Sequence, residues 1–236
     1  MPPAQIDSDN EKIVPGALRP KDAATLILVR RDKGEIRVLM GRRHKTMAFM
    51  AGKYVFPGGR MDPADQRLPV TSDLRPDVAV RVSRGITQSR ARGLALAAIR
   101  ETFEETGVIL GAPTVHVPRT RAPAWQKFFS HGIVPELEHL EFIARAITPP
   151  NRTRRFDARF FMTDASHIAH VLDSAETEEL LEPCWPTLSE ARELDLPSIT
   201  RTVLDEVEAR LSDGADPSRP VPFFRFRRGK ASLDHL

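Results

Sequence analysis

Cysteine and long apolar runs are both scarce in this sequence of 236 residues. A single cysteine, Cys184, excludes an internal disulfide and is typical of proteins from a reducing compartment. No apolar run approaches the roughly 20 residues that a membrane-spanning helix requires. Residues 1–16 have neither the basic nor the apolar segment of a secretory signal peptide. We therefore predict a cytoplasmic protein with no membrane partner.

Two common catalytic motifs are also missing. The sequence has no G-x-S-x-G nucleophile elbow and no G-x-x-x-x-G-K-[ST] phosphate-binding loop. Its charge is nearly balanced, with 35 lysines and arginines against 32 acidic residues. This mild positive bias suits an anionic small molecule and is too small to indicate a nucleic-acid partner. The sequence does not predict an oligomeric state.

The alternation of apolar and polar residues predicts an α/β domain. Strands and helices follow one another in mixed order, which indicates helices packed on a mixed β-sheet. The expected strands lie at 23–30, 35–43, 53–60, 140–149 and 154–162, and the expected helices at 93–107, 187–195 and 199–212.

We divide the chain into three regions. Residues 1–20 are polar and rich in proline, which predicts a loose N-terminal arm, and residues 21–212 form the expected domain. Residues 213–236 are predicted to be a basic, aromatic C-terminal tail. Inside the domain, 66–92 has six arginines, no lysine and weak periodicity, and this composition indicates an insertion.

The segment RETFEETG, residues 100–107, concentrates negative charge on the expected helix. At about 100° per residue, Glu101, Glu104 and Glu105 fall within an arc of roughly 100°. No lysine or arginine follows four residues later to balance them, and the C-terminal end of a helix disfavours negative charge. A solvated acidic face is one explanation. A site for Mg²⁺ or Mn²⁺, which prefer hard oxygen ligands, is the other, and we favour it.

These residues also resemble a known family signature. Residues 100–108 resemble the second half of the Nudix box, and GRMDPAD, residues 59–65, resembles its first half, with Asp65 where the family has glutamate. Residues 66–99 separate the two halves, whereas the Nudix box has a short spacer there. Together with FPGG at 56–59, this split box resembles the branch that includes the peroxisomal acyl-CoA diphosphatases.

The resemblance implies an α/β/α sandwich that hydrolyses a nucleoside diphosphate linked to another moiety. It implies that Glu101, Glu104 and Glu105 hold Mg²⁺ or Mn²⁺ with the help of the Gly59 carbonyl. It also implies that Arg100 orients a glutamate. Attack by water on a pyrophosphate requires both charge neutralisation and a proton acceptor.

Two candidates exist for the proton acceptor. One is Glu101, and the other is an acidic residue within 176–183, for which we select Glu179. Asp65, beside the insertion, is expected to be structural.

Substrate recognition is assigned to four residues. Arg81 and Arg84 of the insertion are expected to contact phosphate groups, and Phe56 and Gly58 are expected to line the substrate site. We favour CoA or an acyl-CoA as the substrate. The alternatives are ADP-ribose or NADH and, in a different class, a nucleotide-sensing regulator that binds without hydrolysis.

Overall fold

The computed structural model describes most of the chain beyond the N-terminal arm. The described residues are 18–47, 49–150, 152–175, 177, 179–214, 216, 218–227 and 230–236. The predicted arm at 1–20 therefore lies almost wholly outside the described residues, as do Glu176 and Glu178 in the segment expected to supply a proton acceptor.

The described chain contains strands and helices in the mixed order that the sequence predicts. The strands are β1 Lys21–Asp32, β2 Glu35–Val38, β3 Met40–Arg43, β4 Tyr54–Val55, β5 Gly58–Arg60, β6 Val108–Leu110, β7 Ala112–Pro113, β8 Ile133–Val134, β9 Glu141–Ile147, β10 Phe156–Asp164, β11 Ile168–Val171, β12 Leu180–Cys184, β13 Pro222–Arg227 and β14 Lys230–His235. The helices are α1 Pro63–Arg67, α2 Pro76–Val82, α3 Gln88–Thr106, α4 Pro123–Phe129, α5 Leu188–Glu193 and α6 Ser198–Asp213.

A mixed sheet organises the fold. Its strand order is β14-β13-β9-β10-β1-β2, and β5 also pairs with β1. β1 runs parallel to β10 and antiparallel to β5, with Gly59 opposite Ala24. The register therefore brings the FPGG turn alongside the central strand β1.

The two faces of this sheet bury separate apolar clusters because side chains alternate along a strand. Leu26 and Leu28 of β1 pack in the cluster that contains α3, and Ile27 and Val29 pack in the cluster that contains α6. The predicted fold class, an α/β/α sandwich with a mixed sheet, is confirmed. None of the helices in the described ranges is long and apolar enough to cross a membrane.

Helix α3 differs from its prediction at its start and in its burial. It begins at Gln88 rather than at Gly93, because the Thr87 side chain accepts a hydrogen bond from the Arg90 amide and caps it. It ends at Gly107, whose φ of 72° is the left-handed conformation expected of a helix-ending glycine. Glu105 is only 2% exposed, so the solvated acidic face is wrong at this position.

The two segments set apart by composition are both packed into the domain. In the expected insertion, α2 places Val78 and Val82 in the core beside α3. In the expected tail, β13 pairs with β9 and buries Phe223. The central sheet therefore continues past residue 212, because the apolar residues among the arginines of 222–227 have a sheet edge to pack on.

Candidate active site

The side chain of Arg100 joins both halves of the site. Its Nε and Nη2 donate to the two carboxylate oxygens of Asp65, at 2.9 and 3.0 Å. Its Nη1 donates to Glu101 at 2.9 Å and to Glu104 at 2.7 Å, and Nη2 also donates to the Arg60 carbonyl at 3.0 Å. A guanidinium has five N–H donors, and all five are used. Burial alone would lower the pKa of Arg100, but Asp65 and Glu101 outweigh it and raise the pKa.

Asp65 is a fully buried anchor, as the sequence analysis expects. One oxygen accepts a hydrogen bond from Trp125 Nε1 at 2.8 Å, and the other accepts from the Asp62 amide at 2.7 Å. With the two bonds from Arg100, both oxygens are committed to the protein. Asp65 therefore positions Arg100 and has little capacity left to bind a ligand.

Glu105 points to the FPGG turn. Its Oε2 accepts a hydrogen bond from the Gly58 amide at 2.9 Å, and its Oε1 lies 3.9 Å from Arg43 Nη1. Burial is the main cause that raises the pKa of Glu105 to about 8, and the charge of Glu101 adds to it. The ionised carboxylate is thus under-neutralised, and a cation beside it would stabilise it.

Glu101 lies against Gly59. A Cβ atom at Gly59 would come within 2.4 Å of Glu101 Oε2, so a side chain at this position would displace the Glu101 carboxylate. Gly58 is also tightly packed, since a Cβ there would lie 2.5 Å from the Ala24 carbonyl oxygen. Burial is again the main cause that raises the pKa of Glu101 to about 7, despite the neighbouring Arg100.

The main cavity, of about 420 Å³, opens beside these glutamates. Five of the predicted site residues line this cavity, namely Phe56, Gly58, Gly59, Glu101 and Glu179. Its arginines are Arg43, Arg60, Arg152 and Arg154. The cavity therefore combines carboxylates at one end with cationic groups suited to an anionic molecule.

Sequence reasoning missed Arg43. Its guanidinium lies 3.9 Å from Glu105 and 4.0 Å from Glu179, so it links the two predicted acids. Its Nε donates to the Phe49 carbonyl at 3.1 Å, which fixes its orientation. The sequence offers little signal for it, because Arg43 is one of many arginines and only the pairing of β3 with β12 brings it to Glu179.

The structure does not bring Arg81 and Arg84 to the main cavity. They are absent from its described lining, and α2, which carries Arg81, packs on the α3 side of the sheet. Arg81 Nη1 donates instead to the Arg219 carbonyl at 3.0 Å, and the Arg84 carbonyl accepts from Arg145 at 3.4 Å. The position of these two arginines therefore does not support their predicted contact with a substrate in the main cavity.

Glu104 shares one nitrogen of Arg100 with Glu101, so the guanidinium bridges the two carboxylates. Glu104 lines a second cavity of about 380 Å³ with Asp62, Arg67 and Arg121, and it is not in the lining of the main one. In the described part of the chain, one group of three ligand atoms lies within 4.8 Å of one another, and it belongs to Glu136, Glu138 and His139 at the surface. The three glutamates of α3 do not converge that closely.

Comparison with known proteins decides the kind of fold. No protein-family model matches the chain. A NUDIX hydrolase from Alicyclobacillus acidocaldarius is similar in structure, with a TM-score of 0.60 and 28% identity over 81% of this chain and 92% of that one. This chain has the Nudix fold. The similarity supports a pyrophosphohydrolase of the Nudix type.

More distant Nudix structures resemble the chain in outline only. The NUDIX domain of Shewanella oneidensis NrtR, complexed with ADP ribose, has 11% identity and a TM-score of 0.49, with 82% of this chain and 90% of that one covered. A C. elegans Ap4A hydrolase has 15% identity and a TM-score of 0.43, with 82% and 100% covered. We draw no conclusion about the substrate from either.

The two segments that resemble the halves of the Nudix box meet in space. β5 carries Gly59 to Glu101, and α1 carries Asp65 to Arg100. The intervening residues leave from α1, form α2 and return at the start of α3, where they pack in the core. The interruption therefore leaves the contacts between the two halves intact.

Proposed function

We propose that this protein hydrolyses the pyrophosphate bond of a nucleoside diphosphate linked to another moiety, with the help of Mg²⁺ or Mn²⁺. The observation that carries this proposal is a pair of under-neutralised carboxylates at the end of a cavity lined by arginines. Glu105 is buried against the Gly58 amide, and Glu101 is partly buried against Gly59. The Nudix fold is consistent with it.

The donor set suits a hard divalent cation. Glu101, Glu105 and the Gly59 carbonyl offer oxygen atoms from a helix and a turn that are fixed by hydrogen bonds. Glu104 is the remaining candidate ligand, and it accepts a hydrogen bond from the same Arg100 nitrogen as Glu101. Oxygen ligands at a site with uncompensated negative charge are those preferred by Mg²⁺ and Mn²⁺. A bound cation would neutralise phosphate oxygens and lower the pKa of attacking water.

The chain's own groups have separate tasks in this reaction. Arg100 holds Glu101 and Glu104 in place and is a positioning residue, since its five donors are already occupied. The Gly58 amide orients Glu105. Arg43 lies in the cavity wall, where its charge can stabilise the negative charge of the phosphates in the transition state.

Glu179 is proposed as the proton acceptor for the attacking water. Its side chain lines the cavity and is half-exposed, so water can reach it. We expect Glu179→Gln to lower kcat by about 10²-fold, the usual contribution of a general base, with metal affinity unchanged. Steady-state kinetics combined with Mn²⁺ titration calorimetry tests this. An unchanged kcat would leave Glu101 as the acceptor.

Divalent cations are expected to stabilise the folded protein. At a concentration about 100 times the Kd, bound metal adds about 2.7 kcal/mol. For a chain of this size that corresponds to a rise in Tm of about 5–10 °C. Differential scanning calorimetry with MgCl₂ or with EDTA measures the shift. The Glu105→Gln variant should lose most of the metal-dependent rise in Tm, and the exposed control Glu193→Gln should keep this rise. An equal shift in all three proteins would place the metal elsewhere.

CoA or an acyl-CoA is the substrate that we propose. The main cavity joins its arginines to an apolar wall that includes Met47, Phe49, Phe156, Ile199 and Phe224. Such a wall suits a substrate with a long, weakly polar moiety attached to its diphosphate. The FPGG turn and the split Nudix box favour the same choice by resemblance.

A substrate panel tests the proposed function. CoA, an acyl-CoA, ADP-ribose, NADH and dinucleoside polyphosphates are incubated with Mg²⁺ or Mn²⁺, and the products of diphosphate cleavage are separated and quantified by liquid chromatography with mass spectrometry. We expect the highest kcat/KM for CoA or the acyl-CoA. A higher value for ADP-ribose or NADH would replace the substrate and keep the reaction. Tight binding of one compound without cleavage of any would identify a nucleotide sensor.

A further inference from the structure

A second cationic position lies in the main cavity, apart from the glutamates. Arg154 immediately precedes Arg155 and β10 and lines the same cavity as Glu101 and Gly59. Its side chain is exposed, and it forms no ion pair with any residue that the structure describes. Its charge is therefore available to a ligand in the cavity.

The strand register separates Arg154 from the glutamate end. Gly59 lies opposite Ala24, whereas the Lys21 amide donates to the Arg155 carbonyl at 2.9 Å. The three residues from Ala24 to Lys21 span about 10 Å of strand. The backbone of Arg154 is thus set back along the cavity from the glutamate end. Its side chain can contact a different anionic group on the same ligand.

Between these two positions the cavity is lined by apolar side chains and by Arg60, which lies opposite Ala23. Ala146, Ala158 and Phe156 line the cavity, and the Phe156 ring packs edge-on against Phe49 with centroids 5.3 Å apart. An aromatic group beside small side chains leaves room for a flat base or a ribose. The cavity therefore presents carboxylates at the Gly59 end, then an apolar wall that also carries Arg60, and then the Arg154 guanidinium.

We propose that Arg154 binds a phosphomonoester carried by the nucleoside of the substrate, remote from the diphosphate that is cleaved. This inference rests on the proposed function and specifies its substrate class. It selects nucleotides with an additional phosphate on the ribose, such as CoA with its 3′-phosphate, over ADP-ribose and NADH, which lack one. Arg154 takes the role that the sequence analysis assigned to Arg81 and Arg84.

Binding without metal tests the site independently of hydrolysis. Isothermal titration calorimetry in EDTA compares adenosine 3′,5′-bisphosphate with AMP. We expect the wild-type protein to bind the bisphosphate about tenfold more tightly, because an arginine–phosphate contact is charge-assisted. Arg154→Gln should abolish the preference. Arg119→Gln, an exposed arginine outside the lining of both cavities, should retain it.

Hydrolysis of CoA and 3′-dephospho-CoA provides the second measurement. Arg154→Gln should lower kcat/KM for CoA about tenfold, through KM, and leave 3′-dephospho-CoA unaffected. Equal affinity of the wild-type protein for the two adenosine nucleotides, or an undiminished preference in Arg154→Gln, overturns the inference. If the preference depends on Arg154 but neither compound is cleaved, the phosphate site stands and the proposed function fails.

Discussion

Replacing Glu105 with glutamine is expected to lower kcat by about 10³-fold while the fold is retained. The carboxylate is held by the Gly58 amide, so the substitution removes a charged metal ligand without moving its neighbours. Loss of several kcal/mol of charge stabilisation in the transition state corresponds to a decrease of this size. Steady-state turnover of the best substrate at saturating Mg²⁺ measures it.

The stability of the same variant separates a catalytic effect from misfolding. Burial raises the pKa of Glu105 to about 8, so the ionised side chain is destabilised in the metal-free protein. In EDTA, Glu105→Gln should therefore be at least as stable to urea as the wild type. Glu193→Gln, which changes the same group at an exposed position, should alter neither kcat nor stability. Wild-type turnover by Glu105→Gln contradicts the metal assignment.

Replacing Asp65 with alanine is expected to destabilise the protein by about 3–5 kcal/mol. The substitution leaves the buried Arg100 without its bidentate partner and Trp125 without an acceptor. Removing one partner of a buried ion pair has this cost because the remaining charge is desolvated and unpaired. Urea unfolding followed by circular dichroism measures the change in the free energy of unfolding.

An exposed pair of the same chemistry is the matched control. Asp73 pairs with Arg92, and both side chains are well exposed to solvent. Asp73→Ala should cost no more than about 1 kcal/mol, as surface ion pairs usually do. Asp65→Ala should also weaken Mn²⁺ binding, because Arg100 no longer fixes Glu101 and Glu104. An equal decrease in the free energy of unfolding for Asp65→Ala and Asp73→Ala would show that Asp65 does not anchor Arg100.

The local pattern of the chain predicts the central helix and its charges well. The helix formers and the glycine at 107 identify α3 and its end, and the spacing of Glu101, Glu104 and Glu105 places them near one another. These features depend on residues close in sequence, so periodicity and propensity are sufficient. The same holds for α5, which begins within the expected range 187–195 and is capped by the Thr187 side chain, which accepts a hydrogen bond from the Glu190 amide.

Features that depend on long-range packing could not be predicted from the sequence. The burial of Glu105 results from the FPGG turn docking on β1, which helical periodicity does not describe. Arg43 reaches Glu179 only through the pairing of β3 and β12. Composition alone predicts a tail at 213–236. The strands β13 and β14 join the sheet there because β13 pairs with β9 and β14 pairs with β13. The position of Arg81 outside the main cavity could not be predicted either, because sequence proximity to the glutamate segment does not determine the layer on which α2 packs.

Cleavage of CoA in H₂¹⁸O, with and without EDTA, tests the central claim most directly. Mass spectrometry of the products should detect two phosphomonoesters, one of which carries a single ¹⁸O from the attacking water. EDTA should abolish the reaction, and Mg²⁺ or Mn²⁺ should restore it. Cleavage that persists in EDTA, or tight binding of CoA and the other panel compounds without cleavage, would contradict the assignment of a metal-dependent diphosphatase.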